Sequence, residues 1–96
     1  MRIYKLFCGR NIPESTETVT DELLNDFLIN FVSNYFEGFT ITHSQGFWKR
    51  EMELSFSLEF ITDDLDKVKL ISDEYKNRFN QDCVIRQVID LETHFE

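Results

Sequence analysis

Gly46-Phe47-Trp48, followed by Glu51-Met52-Glu53-Leu54-Ser55-Phe56-Ser57-Leu58-Glu59-Phe60, is the stretch on which the fold turns. Apolar and polar residues alternate strictly from Glu51 onward, and a β-strand sends successive side chains to opposite faces. Met52, Leu54, Phe56, Leu58 and Phe60 therefore share one face, which is expected to build core. Glu51, Glu53, Ser55, Ser57 and Glu59 share the other, which is free to carry chemistry, an oligomer contact or only water.

Working outward, Ile3 to Cys8 reads as a first strand, ended by Gly9-Arg10-Asn11-Ile12-Pro13. Thr20 is an N-cap with Asp21 and Glu22 in the first turn, and Leu24, Phe27, Leu28, Phe31, Val32 and Tyr35 recur at helical spacing. Glu37-Gly38 turns the chain into a short strand, Phe39 to His43. Ser44-Gln45-Gly46 is expected to link that strand to the long one, which begins near Trp48, as a hairpin. Thr62-Asp63 offers a second N-cap, and Leu65, Val68, Ile71, Tyr75 and Phe79 mark the apolar face of a second helix. A last strand, Cys83 to Leu91, closes the chain. The order strand, helix, strand, strand, helix, strand is the ferredoxin-like α+β pattern, with two helices on one face of a four-stranded antiparallel sheet.

A chain of 96 residues with ten phenylalanines and 42% hydrophobic residues is sized for one domain, residues 1–96, around one core. Its net charge of −8, with no basic block, argues against a binder of long nucleic acid, which needs clustered Lys and Arg. The same charge welcomes a small ligand carrying positive charge. The start, Met1-Arg2-Ile3-Tyr4-Lys5, has no apolar leader, and no segment reaches the roughly 20 apolar residues of a membrane span, so a cytoplasmic protein is expected. Cys8 and Cys83 lie far apart among strand-like residues and read as buried reduced thiols. The first and last strands carry apolar side chains on both faces: Ile3 and Phe7 against Tyr4 and Leu6, Ile85 and Ile89 against Val84 and Val88. A solvent-washed sheet face should show fewer, so a second copy of the chain is expected to cover it.

Strong catalytic motifs are missing: there is no Gly-rich phosphate loop, nucleophile elbow or paired-histidine helix. His43 and His94 have no partners at metal-ligand spacing, so neither a metal nor a cofactor is implied. Glu51 and Glu53 stand on one strand face, roughly 7 Å apart, suited to gripping one polyfunctional ligand or to plain solvation. Trp48 beside Lys49 and Arg50 either caps core or stacks a nucleobase beside two phosphate-binding cations. Gln81 binds ligand or caps the second helix. Tyr4 stacks on a nucleoside or packs an interface. Ser44 and Gln45 present turn groups to a ligand or serve the turn alone.

The run Thr42-His43-Ser44-Gln45-Gly46-Phe47-Trp48-Lys49-Arg50-Glu51, then Glu53, then Asn80-Gln81-Asp82-Cys83-Val84-Ile85, resembles the phage-encoded S-adenosylmethionine lyases. The likeness spans roughly Tyr4 to Val88 and is weak over the first helix. Its specific part is the hairpin, Glu53 and Gln81 to Val84. The family's hairpin aromatic is a tyrosine where this chain has Trp48, and the segment from that aromatic to the Glu is shorter here, so no role for a phenolic hydroxyl carries over.

The resemblance implies a trimer and an intramolecular displacement, in which the methionyl carboxylate attacks its own γ-carbon. Methylthioadenosine leaves and homoserine lactone forms. It implies Glu53 as the catalytic residue, and the candidate substrate-binding residues beside it are Tyr4, Ser44, Gln45, Trp48, Lys49, Arg50, Glu51 and Gln81. A similar lineage acts in antiviral signalling by type III CRISPR systems, cleaving S-adenosylmethionine joined to AMP (SAM-AMP), and the Lys49-Arg50 pair suits that larger substrate. Both substrates stay open. A non-catalytic ferredoxin-like module that binds a nucleotide-like ligand or a protein accounts for the fold, acidity and self-association equally well. An acidic mimic of DNA draws on the net charge alone.

Overall fold

The alternation after Glu51 does form a strand, but only its second half reaches the core. The computed structural model describes residues 1–96. Its elements are β1 (Arg2–Gly9), α1 (Asp21–Asn30), a 3₁₀ turn (Val32–Asn34), β2 (Thr40–Trp48), β3 (Glu51–Thr62), α2 (Leu65–Arg78) and β4 (Ile85–Asp90). The four strands make one antiparallel sheet in the order β2-β3-β1-β4, with both helices on one face: the ferredoxin-like α+β fold.

Register explains the division of β3. β1 pairs with it from Arg2↔Thr62 to Gly9↔Ser55 and then ends. Tyr4, Leu6 and Cys8 thus lie beside Phe60, Leu58 and Phe56 on the helix-covered side, all buried. α1 adds Leu24 and Phe27, and α2 adds Val68, Ile71 and Tyr75, with Phe79 just beyond it. Each fully buried Leu or Phe contributes roughly 1.5–3 kcal/mol. Phe27, Tyr75 and Phe79 meet edge-on or tilted, with ring centroids 5.0–6.3 Å apart, and fix how α1 sits against α2.

Beyond Ser55 the hairpin has no third strand and no helix above it. Met52 and Leu54, expected in the core, are instead 58% and 54% exposed, and Phe47 beside them is 79% exposed. They form the apolar side of an arm that lengthens the molecule to 44 Å against 27 Å and 21 Å in the other directions.

Several expected boundaries move. β2 runs unbroken through Ser44-Gln45-Gly46, and the hairpin turns at Lys49-Arg50. Both turn residues have positive φ, 51° and 67°, the signature of a tight I′ turn whose twist matches the strands. Thr20 caps α1 as read, accepting from the Leu23 amide, whereas α2 is capped by Asp64, which accepts from Lys67, rather than by Thr62 or Asp63. β4 begins at Ile85, and Cys83, expected buried, is exposed in the loop before it while Cys8 is buried. Burial alone pushes the Cys8 thiol up to about 12. No helix is long and apolar enough to cross a membrane.

Candidate functional site

Pleating puts Glu53 on the sheet face away from the helices, with Ser55, Ser57 and Glu59. Its neighbours there are small. Gly46 pairs with it on β2, the Ser44 and Ser55 hydroxyls meet at 2.8 Å alongside, and Gly9 lies diagonally across on β1. A Cβ on Gly9 would fall 2.6 Å from Oε1 of Glu53, so glycine is what lets the carboxylate lie flat over β1.

Glu53 is partly buried, and its Oε2 accepts from the Asn11 amide at 3.1 Å. No Lys, Arg or His forms an ion pair with it, although much of the chain's basic charge is matched: Lys5 to Glu59, Arg10 to Asp21, Lys49 to Asp82 and Arg78 to Glu74 and Asp26. The carboxylate is held by a backbone donor and keeps accepting capacity toward the open face.

The peptide carrying that donor, Arg10–Asn11, has its carbonyl held by the Val19 amide at 2.7 Å, and the peptides on either side of it are tied down as well. Gln81 Nε2 donates to the Asn11 carbonyl at 2.8 Å and to the Phe79 carbonyl at 3.3 Å, while the Tyr75 hydroxyl donates to the Gly9 carbonyl. Burial raises the Tyr75 phenol above its usual pKa, helped by Cys8 and Glu53 and opposed by Arg10. The backbone N–H of Gln81 also closes the end of α2 by donating to the Lys76 carbonyl at 3.0 Å, with Asn80 left-handed at φ 50°. The side-chain bond that corresponds to a cap on α2 is the one from Gln81 Nε2 to the Phe79 carbonyl.

The hairpin tip stands at the same end of the sheet. Trp48 pairs with Glu51 and is 45% exposed, and Lys49 Nζ lies 6.0 Å from the Trp48 ring centre and 3.3 Å from Asp82. Asp82 follows Gln81, so one loop contacts both the tip and the Asn11 peptide. Trp48, Lys49, Ser44 and Gln81 are thereby brought to the Glu53 end, with Arg50 and Glu51 at the arm's extremity.

Two of the expected substrate-binding residues point elsewhere. Tyr4 is 2% exposed on the helix side, where its hydroxyl accepts from Arg2 at 3.4 Å; strand parity separates it from Glu53. Gln45 pairs with Leu54 and shares the helix-side face of the arm, opposite Ser44. Asn11 and Tyr75 escaped sequence reading because they act from a loop and a core helix. Of the surface hollows, one of about 280 Å³ is lined by Arg2, Tyr4, Leu65, Arg86, Val88 and Asp90, and one of about 400 Å³ by Arg10, Asp21, Leu24, Asn25 and His43. Neither includes Glu53. No three His, Cys, Asp or Glu side chains converge as a metal site.

A family model described as a protein of unknown function, DUF3574, matches residues 3–95. The chain belongs to the DUF3574 family. Among solved structures this DUF3574 member is similar to a phage SAM lyase in its apo state, with TM-score 0.63, 14% identity, and coverage of 92% of this chain and 78% of that one. A de novo designed protein with a ferredoxin fold aligns over 99% of this chain and 89% of its own at 13% identity, with TM-score 0.46. No curated protein sequence matches this DUF3574 member. At 14% identity the likeness to the phage SAM lyase establishes a shared fold.

Proposed function

We propose that the protein is a lyase that cleaves S-adenosylmethionine, or its conjugate with AMP, by intramolecular displacement. The observation that carries the reading is Glu53: a partly buried carboxylate on the open sheet face, held by a backbone amide, without a cation of its own. The fold shared with a phage SAM lyase and the sequence likeness around Glu53 agree with it.

In the proposed reaction the substrate's carboxylate oxygen forms a bond to its own γ-carbon as the carbon–sulfur bond breaks. The bonding pair leaves on sulfur, cancelling the sulfonium charge. Homoserine lactone and methylthioadenosine, or methylthioadenosine bearing AMP, are the products, and no proton need move. The protein's task is to fold the substrate so that oxygen, carbon and sulfur align, preorganisation that can be worth several kcal/mol. Glu53 must not sit against the sulfonium, because that contact would weaken as charge is lost and would favour the ground state. It holds the substrate's ammonium, a ribose hydroxyl or an ordered water instead, with Glu51 as an auxiliary acid.

Trp48 stacks on the adenine, and Lys49 and Arg50 face the phosphodiester when AMP is present. Left-handed backbone costs a non-glycine residue roughly 1–2 kcal/mol. Two bulky cations in a turn that Asn-Gly would form more easily are therefore a reason to assign them a task beyond turning. The site is open in one chain, and the apolar arm side, Phe47, Met52 and Leu54, is exposed. Both features support a homo-oligomer, a trimer by family likeness, whose copies close the face over the substrate in the cytoplasm.

The experiment is incubation of purified protein with S-adenosylmethionine and with SAM-AMP, followed by chromatography. Methylthio-nucleoside product is expected, and is expected to vanish in Glu53→Gln. Binding of either compound without product would instead mark a non-catalytic module.

A further inference from the structure

Resting on the assignment of Glu53 as the catalytic residue, we propose that Gln81 and Tyr75 are positioning residues that act through the Gly9–Asn11 backbone. Neither is expected to touch substrate.

Three observations converge. The Asn11 amide is aimed at Glu53 Oε2, and a backbone amide can move only with its peptide. That peptide, Arg10–Asn11, has its own carbonyl held by the Val19 amide at 2.7 Å, and the peptides flanking it are anchored by distant residues: Gln81 grips the Asn11 carbonyl, seventy positions away, and Tyr75 grips the Gly9 carbonyl, sixty-six positions away. The bare Cα of Gly9 then forms a wall against the other carboxylate oxygen, which leaves Glu53 bounded by a donor on one side and backbone on the other.

The side-chain inventory separates this role from ligand binding. A glutamine amide has two N–H donors, and Gln81 Nε2 reaches two protein carbonyls, those of Asn11 and Phe79. Tyr75 is buried among Phe27, Phe56 and Phe79 and spends its hydroxyl proton on Gly9. α2 and the loop after it thus fix the orientation of a carboxylate on the far face of the sheet. A mis-aimed group in such a site can cost on the order of a hundredfold in rate without loss of binding.

The test uses the full chain and two readouts. Gln81→Met keeps the side-chain length and removes the donors, whereas Gln81→Lys keeps a donor. Without substrate, the proton shift of the Asn11 amide reports its bond to Glu53; it should move upfield in Gln81→Met, in the direction that Glu53→Gln itself produces, and return in Gln81→Lys. With S-adenosylmethionine, kcat should fall roughly ten- to hundredfold in Gln81→Met while KM stays within about twofold, with recovery in Gln81→Lys. Tyr75→Phe should shift the same amide. An Asn11 amide indifferent to Gln81→Met, or equal effects of Met and Lys, would overturn the inference. Absence of turnover in the unmodified protein would sink the lyase reading instead, and the amide shifts would still decide the positioning role.

Discussion

The hydroxyl of Tyr75, in the middle of the core, donates to the carbonyl of Gly9 at the last residue of β1. Tyr75→Phe keeps the ring packing and strands that carbonyl, so a loss of about 1–3 kcal/mol is expected from urea unfolding. Tyr75→Ala also empties a site between Phe27, Phe56 and Phe79, for which about 3–5 kcal/mol is expected. Similar losses for the two variants would show that the hydrogen bond outweighs the packing.

Gly9→Ala probes the opposite side of the same strand. The added methyl would meet the Glu53 carboxylate at 2.6–2.8 Å, and the flexible end of that side chain must swing away. Unfolding free energy should change by under about 1 kcal/mol, while lyase turnover should fall nearly as far as in Glu53→Gln. Full turnover in Gly9→Ala would separate the carboxylate's position from catalysis.

Cys8 ties stability to alkaline pH. Its folded-state pKa, about 12, lies above the ordinary value of 9.0, so between those values the unfolded chain has released a proton that the folded chain retains. Stability is therefore complete below about pH 9 and falls as pH rises toward about 12. Tyr75, raised in the same direction, steepens the decline at its upper end. Cys8→Ala should flatten the slope in chemical denaturation between pH 8.5 and 10.5. At pH 8 a thiol reagent should modify exposed Cys83 at once and Cys8 only after unfolding.

At the hairpin turn, the double change Lys49→Asn and Arg50→Gly should relieve left-handed strain in two residues and raise stability by about 1–2 kcal/mol. The Lys49–Asp82 pair it deletes is exposed on both sides and offsets little of that gain. Affinity for the AMP conjugate should drop more than affinity for S-adenosylmethionine, as calorimetric titration can measure. Equal losses for both ligands would remove the phosphodiester from the roles of these cations.

Phe47→Ser with Leu54→Ser tests the arm as a self-association surface. Light scattering should give a multiple of 11.5 kDa for the parent and a smaller mass for the variant, with the chain's fold retained by circular dichroism because both residues are exposed within one chain. An unchanged mass would place the contact elsewhere.

What could be read ahead of the structure follows from how locally each feature is encoded. The α1 cap at Thr20, the core face of α2 and the alternation of β3 are written in neighbouring residues, and the ferredoxin-like order follows from them. The hairpin turn misled because Gly46 has turn chemistry whereas Lys49-Arg50 has none; the glycine serves instead as a strand residue beside Glu53. Met52 and Leu54 had the right period but not the depth, since period reports a face and cannot report where the neighbouring strand stops. An aromatic on the first strand suits a ligand or an interface, yet the parity of Tyr4 with Leu6 and Cys8 sends it under the helices. The Glu53–Asn11–Gln81 relay joins residues 42 and 70 positions apart through backbone groups, which have no letter in a sequence.

Since residues before Ser55 on β3 hydrogen-bond chiefly to β2, with the Leu54 carbonyl also reaching Arg10, the arm should unzip from its tip while the three-stranded base stays shut. Amide protons near Phe47 and Met52 would exchange with solvent soonest, and those of Leu6 and Leu58 last. On the proposed lyase function, a molecule clasped by Trp48 would have an exit that costs only a few rungs of one ladder, and spent nucleoside would depart without disturbing the layer beneath.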